Sequence, residues 1–259
     1  LFFFNRNTDQ VETLLGGVTS DIASLEMMGS VVPSMSFGLA SLDTTQGSIN
    51  EAIKQAEKDL ATRKLVDSPH TQGKAVYAII NTLHEKNKRE ENHSRRVSEL
   101  CERLARASGL GEMAANELRL VGLLHDIGKI AIDESILNKE GRLTAEEWKE
   151  MKRHSEIGYR ILNSVEDMAG LAQYVLAHHE HYDGNGYPKG LRGEEIPLQS
   201  RIISIADAYD AMTSSRPYRK TVTTEQAAQE IKRCSQTQFD PALAKVFIED
   251  VLGLDYTSL

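Results

Sequence analysis

The sequence of 259 residues predicts a mainly α protein, with an all-helical domain over residues 74–259, a partial α/β segment over 1–66 and a linker at 67–73. From Lys74 onward apolar residues recur three and four positions apart and strand signals nearly vanish, the pattern of helices with one buried face. Helix start signals head several of these stripes. Ahead of Lys74, helical stripes instead flank a stretch with the two-residue period of a half-buried strand.

In chain order, residues 1–4 read as a short strand, and Val11, Leu14, Leu15, Val18, Ile22 and Leu25 mark a helix. Residues 34–40 alternate apolar with small or polar side chains, a second strand, and Ile49, Ala52, Ile53, Ala56 and Leu60 mark a second helix. Such a set buries little by itself, so it reads as the later part of an α/β domain in a longer chain. A Leu start without a basic region is no signal peptide. A Pro and polar cluster at 67–73 interrupts the pattern. Helical stripes follow at Val76/Ile79/Ile80/Leu83, Val97/Leu100/Cys101/Leu104, Leu118/Val121/Gly122 and Ile157/Ile161/Leu162. Thr144 with Glu147 forms a capping box, and Asp240 caps a helix that opens on Pro241. The Gly- and Pro-rich residues 183–197 are expected to form a long functional loop.

Lys and Arg number 30 against 38 Asp and Glu, a formal charge of −8, which argues against polymeric nucleic acid as a partner. A small anion remains open, because metal ions and a few Arg or Lys can make one cleft positive. No apolar run reaches membrane-spanning length. Cys101 and Cys234 fall on apolar stripes and make no disulfide framework, so a soluble, cytoplasmic protein with free thiols is expected.

The chemistry is concentrated in histidines. Helical spacing sends His93 inward with Val97, His125 with Leu118 and Val121, His178 with Leu171 and Val175, and His154 with Ile157 and Ile161. Asp207 extends Ile203 and Ala206, with Asp210 one turn on. One such histidine is more often a buried ring bonded to a carbonyl, but several with carboxylates are costly to bury unless something shared satisfies them. A metal centre does so, and imidazole with carboxylate suits iron, manganese, zinc, cobalt or nickel. Neighbours on a helix point about 100° apart, so the doublets His125-Asp126 and His178-His179 can serve two ions. Such a pair acidifies water and clamps phosphoryl oxygens, the requirement of phosphate-ester hydrolysis.

The run His125-Asp126-Ile127-Gly128-Lys129, followed by His178-His179-Glu180-His181-Tyr182-Asp183-Gly184-Asn185-Gly186-Tyr187-Pro188, resembles the HD-GYP family of cyclic di-GMP phosphodiesterases. Ala206-Asp207-Ala208-Tyr209-Asp210, Arg216-Pro217-Tyr218-Arg219 and Phe239-Asp240-Pro241 extend the resemblance in the same order. It implies that His93, His125, Asp126 and Asp207 hold one ion and His154, His178 and His179 the other, with Asp126 bridging. The ions would be divalent transition metals, iron or manganese foremost. Lys129 would meet the scissile phosphate, Arg216 and Arg219 would grip phosphate, and Gly184, Tyr187 and Asp210 would complete the substrate site. The implied reaction opens cyclic di-GMP to linear pGpG or GMP, and Asp183 is a candidate acid for the leaving group. Family members with a third ion carry Glu one turn before the first His; here that position is Arg89, with Glu90 one residue off, so two ions are expected.

Residues 1–66 more faintly resemble the C-terminal half of a GGDEF domain without its signature loop, which implies no cyclase activity. GGDEF-domain proteins and a second copy of the chain are the expected protein partners. Two other functions stay open: an HD-type phosphohydrolase acting on another cyclic dinucleotide or nucleotide, and a non-catalytic cyclic di-GMP sensor.

Overall fold

The computed structural model describes residues 8–23, 37–41, 48–67, 74–165, 168–214 and 221–259. Two units are distinguished, Leu1–Gly73 and Lys74–Leu259. In the first, the two periodic stripes form α1 (Thr8–Ala23) and α2 (Ile49–Asp67). The expected strand at 34–40 is not found where it is described, since residues 37–40 carry no regular secondary structure. A strand needs a neighbour for its backbone groups, and this segment leans on a helix instead. Gly38 lies so close to α2 that a Cβ would collide with the Ala56 carbonyl oxygen and with Leu60. The Leu39 N–H donates to Asp59 Oδ2 at 2.7 Å. The other expected strand, at 1–4, and the linker residues 68–73 lie outside the described residues, and Asp67 ends α2.

Among its described residues the second unit is built on α-helices: α3 (Lys74–Lys86), α4 (Lys88–Ala107), α5 (Glu112–Leu124), α6 (Glu134–Leu137), α7 (Ala145–Met151), α8 (His154–Asn163), α9 (Ala169–Leu176), α10 (Leu198–Thr213), α11 (Thr224–Arg233) and α12 (Pro241–Val246). Short-range chemistry fixes the starts. Asn87 caps α4 by accepting from the N–H groups of Arg89 and Glu90, and Thr144 and Thr223 form capping boxes with Glu147 and Gln226. Asp240 caps α12, with Pro241 in its first turn.

The core is the α4–α5 pair crossed by α10. Val97, Cys101 and Leu104 of α4, Leu118 and Val121 of α5, and Ile202, Ile203 and Ala206 of α10 are fully buried, each large aliphatic chain contributing about 1.5–3 kcal/mol. Gly122 lets the helices meet, for a Cβ there would sit 2.9 Å from Ser98 Cα. A second close approach sets the site: Gly128, in the 3-10 turn Ile127–Ala131, abuts the His154 carbonyl and Gly158 of α8, with no room for a side chain. No helix among the described residues is long and apolar enough to cross a membrane.

Candidate metal centre

Three of the histidines sit next to helix ends, where backbone carbonyls are left unpaired. His125 caps the C-terminus of α5 and its Nδ1–H donates to the Gly122 carbonyl at 2.7 Å. His154 opens α8 and bonds the Met151 carbonyl at 2.7 Å, while His178, just past α9, bonds the Val175 carbonyl at 2.5 Å. A carbonyl only accepts, so Nδ1 carries the hydrogen in all three rings and Nε2 offers its lone pair.

Those Nε2 atoms converge. The Nε2 of His154 lies 3.3 Å from that of His178 and 3.1 Å from that of His179. For His154 and His178, whose hydrogens sit on Nδ1, lone pairs at that separation repel unless they share a cation. His154, His178 and His179 each offer one ligand atom within 4.8 Å of the others, and so do His93, His125 and Asp207. In the latter group the buried Nε2 of His125 has no hydrogen-bond partner, although Asp126 Oδ2 is 3.2 Å away. Asp126 spans both groups. Its Oδ2 is 3.5 Å from His93 Nε2, and its Oδ1 is 3.4 Å from His154 Nε2. Converging imidazoles, an orphaned ring nitrogen and a carboxylate with one oxygen toward each group fit a pair of divalent transition metals.

In the group of His154, His178 and His179, charge agrees with geometry. Burial lowers the pKa of His178, and the neighbouring His179 and His154 lower it further. Burial and His154 bring His179 down to about 3. Both rings are therefore neutral, the state a metal ligand needs. For His93, burial alone would lower the pKa, but Asp126, Asp207 and Asp210 outweigh it and raise it to about 11. Asp126 and Asp207 stay ionised despite burial because histidines, and for Asp126 also Lys129, surround them.

Over the two groups opens a cleft of about 330 Å³, lined among others by Glu90, Arg96, Lys129, Trp148, Tyr187 and Asp210. Lys129 Nζ stands 2.7 Å from Asp126 Oδ2 and 2.8 Å from Glu90 Oε2. The expectation that Arg89 occupies the inward position before His93 is corrected: Glu90 is buried, at 4% exposure, while Arg89 is exposed at the cleft mouth. At about 100° per residue, the buried arc of α4 from Glu90 to Ala105 is centred roughly 60° round from His93, in line with Glu90. Asp210, expected to bind substrate, has its carboxylate committed elsewhere. It takes His93 Nδ1 at 2.7 Å, Arg96 Nε at 2.5 Å, Arg96 Nη2 at 3.0 Å and Ser214 Oγ at 3.0 Å.

The 183–197 loop reaches the cleft through Tyr187, whose ring lies 4.9 Å from that of His179. Glu180, missed in the sequence as a structural residue, pins this loop by accepting from the N–H groups of Lys189 at 2.6 Å and Leu191 at 3.0 Å. Gly184, with φ +85°, turns the loop and is not among the cleft-lining residues. Asp183 is also absent from the lining, and its pKa is lowered by bonds from Asn185, the opposite of what a general acid needs. Arg216 and Arg219 lie outside the described residues. Cys101 and Cys234 are free thiols.

The family model of the HD domain matches residues 78–243. A "3'3'-cGAMP-specific phosphodiesterase 2" of Vibrio cholerae is 39% identical over 187 residues, 71% of this chain and 36% of that protein. A "Cyclic di-GMP phosphodiesterase" of Thermotoga maritima is 42% identical over 178 residues, 67% of this chain and 48% of its own length. The chain thus spans half or less of these curated relatives. Among solved structures, a HDG"Y"P protein from Bdellovibrio bacteriovorus superposes with a TM-score of 0.56 at 18% identity, covering 95% of this chain and 81% of that one, a likeness of fold.

Proposed function

Because the chain belongs to the HD domain family, we propose that it is a metal-dependent phosphodiesterase that opens a 3′-5′ phosphodiester of a cyclic dinucleotide, cyclic di-GMP foremost, to pGpG or GMP. The observation that carries this reading is the pair of ligand groups joined by the two oxygens of Asp126 at the floor of a cleft. Two divalent ions, iron or manganese, held by His93, His125, Asp126 and Asp207 and by Asp126, His154, His178 and His179, would supply an acidified water and polarise the phosphoryl oxygens.

The chain's own groups do the rest. Lys129, kept protonated by Asp126 and Glu90 despite its burial, meets the charge that develops on the phosphoryl group. Arg216 and Arg219 grip the phosphates. Tyr187 closes the side of the cleft beside His179. Asp210 holds the His93 ring, and Arg96 holds Asp210. Residues 1–66 form a partial GGDEF-like segment, 67–73 a linker and 74–259 the HD-GYP-like domain. The setting is cytoplasmic signalling, with GGDEF-domain proteins or a second copy as partners.

Turnover of cyclic di-GMP by metal-loaded protein, with products separated by chromatography, tests the reading. Release of pGpG or GMP supports it. Cleavage of cGAMP or cyclic di-AMP instead moves the substrate within the class, and binding without cleavage makes the chain a sensor.

A further inference from the structure

The cleft is chemically divided. One set of its lining residues is His93, Asp126, Lys129, His154, His179 and Asp207; a second set is Leu137, Leu143, Trp148, Met151 and Tyr187. A nucleotide is divided in the same way, into a charged phosphate and a flat, weakly polar base. Of the two aromatic rings in the second set, Tyr187 is already engaged. Its ring is tilted 30° against His179 at 4.9 Å, Lys152 Nζ stands 5.6 Å over it, and Trp148 meets it edge to face at 6.4 Å. Trp148 is 48% exposed, so the free aromatic surface of the cleft belongs to the indole.

The indole is also held in place. Helix α7 is fixed at its start by the Thr144–Glu147 capping box, and Glu147 is tied to Lys139 Nζ at 2.7 and 2.6 Å. At its other end, the Met151 carbonyl accepts from His154, a residue of the second ligand group. One short segment thus ties the position of the indole to that of a ligand ring.

We propose that Trp148 is the surface on which a purine base of the substrate stacks, braced by Tyr187, while the adjoining phosphodiester faces the ligand groups. This rests on the reading of a cyclic dinucleotide as substrate. Stacking uses the π-face that every base has and grows with its area, so this surface prefers purine to pyrimidine and does not tell guanine from adenine. The substrate class is therefore the purine cyclic dinucleotides, and discrimination among them falls to other residues.

The chain contains a single Trp, so intrinsic fluorescence reports this surface alone. GMP, AMP, CMP and inorganic phosphate, none of which is a phosphodiester, are titrated into the metal-loaded full chain. GMP and AMP are expected to quench with midpoints close to each other, CMP more weakly, and phosphate to compete without quenching. By calorimetry, Trp148→Ala is expected to bind GMP roughly tenfold more weakly with unchanged metal content, and Trp148→Phe to keep most of the affinity. Purine binding that leaves the fluorescence unchanged, or a Trp148→Ala variant that binds GMP as tightly as the parent, overturns the assignment. The two readings fail separately: cyclic di-GMP turnover with silent fluorescence removes the stacking surface alone, whereas purine quenching without turnover of any cyclic dinucleotide removes the phosphodiesterase reading alone.

Discussion

Replacing Asp210 by Asn tests whether this carboxylate orients a ligand ring or touches substrate. In the native structure its two oxygens accept from His93 Nδ1 at 2.7 Å, from Arg96 Nε and Nη2 at 2.5 and 3.0 Å, and from Ser214 Oγ at 3.0 Å. An amide has one oxygen and one NH2, so either orientation sets a donor against His93 Nδ1–H or against the guanidinium. At least one charge-assisted bond is lost, about 1.5–3 kcal/mol, and Arg96 loses its anionic partner. At about 1.4 kcal/mol per tenfold, the metal affinity of the His93, His125 and Asp207 group should fall roughly ten- to a hundredfold, the usual effect of removing a partner behind a ligand ring. Metal content after dialysis against graded chelator measures this, and kcat/KM should recover when metal is in excess. Unchanged metal affinity with a raised KM would refute the reasoning and return Asp210 to the substrate.

Asp126→Ala should abolish turnover and lower metal content in both groups, and it should also lower Tm, because buried Lys129 loses a counter-charge 2.7 Å away; elemental analysis and thermal melts read these effects, and activity near the parent's would sink the bridging role. His84→Ala, on α3 and outside the cleft lining, should keep both metal and activity. Glu180→Gln should loosen the 183–197 loop, giving faster limited proteolysis there and a KM several-fold higher at nearly unchanged kcat; an unaltered cleavage rate would show that the two backbone bonds are dispensable. Glu90→Gln should leave two ions per chain while impairing kcat through Lys129, and the loss of an ion would make Glu90 a ligand.

The residues of the two candidate ligand groups are legible because each lies on an apolar stripe at helical spacing or beside one in a doublet, and a stripe interrupted by imidazole or carboxylate is conspicuous. Glu90 was harder. Positions three and four before His93 both lie near its face, and only the centre of the buried arc separates them. Asn87, three residues before Glu90, is the start signal from which the register could have been read. The spacing of Asp210 from Asp207 puts it on the inward face, yet nothing local reveals that Arg96, from α4, holds it. Glu180 belonged to the same motif as the ligands, and its pairing with backbone N–H groups nine and eleven residues on depends on a loop path that spacing does not specify. The segment at 34–40 failed as a strand for a related reason, since alternation signals a half-buried extended chain and a helix can cover that chain as well as a sheet can.

Three of the ligand rings hang from carbonyl oxygens three residues behind them, on their own stretch of chain. Each tether is made within the chain itself and does not depend on which ion the ring holds. Loading should therefore proceed like the filling of a rigid chelator rather than the folding of a zinc finger, with the helical content of the apo chain already complete. A rigid chelator of nitrogen and oxygen donors binds metals in the general order of their intrinsic affinities. Which metal occupies this one in a cell then depends on supply at the time of synthesis, so the same polypeptide purified from manganese-rich and iron-rich cultures should differ in its metal and agree in its fold.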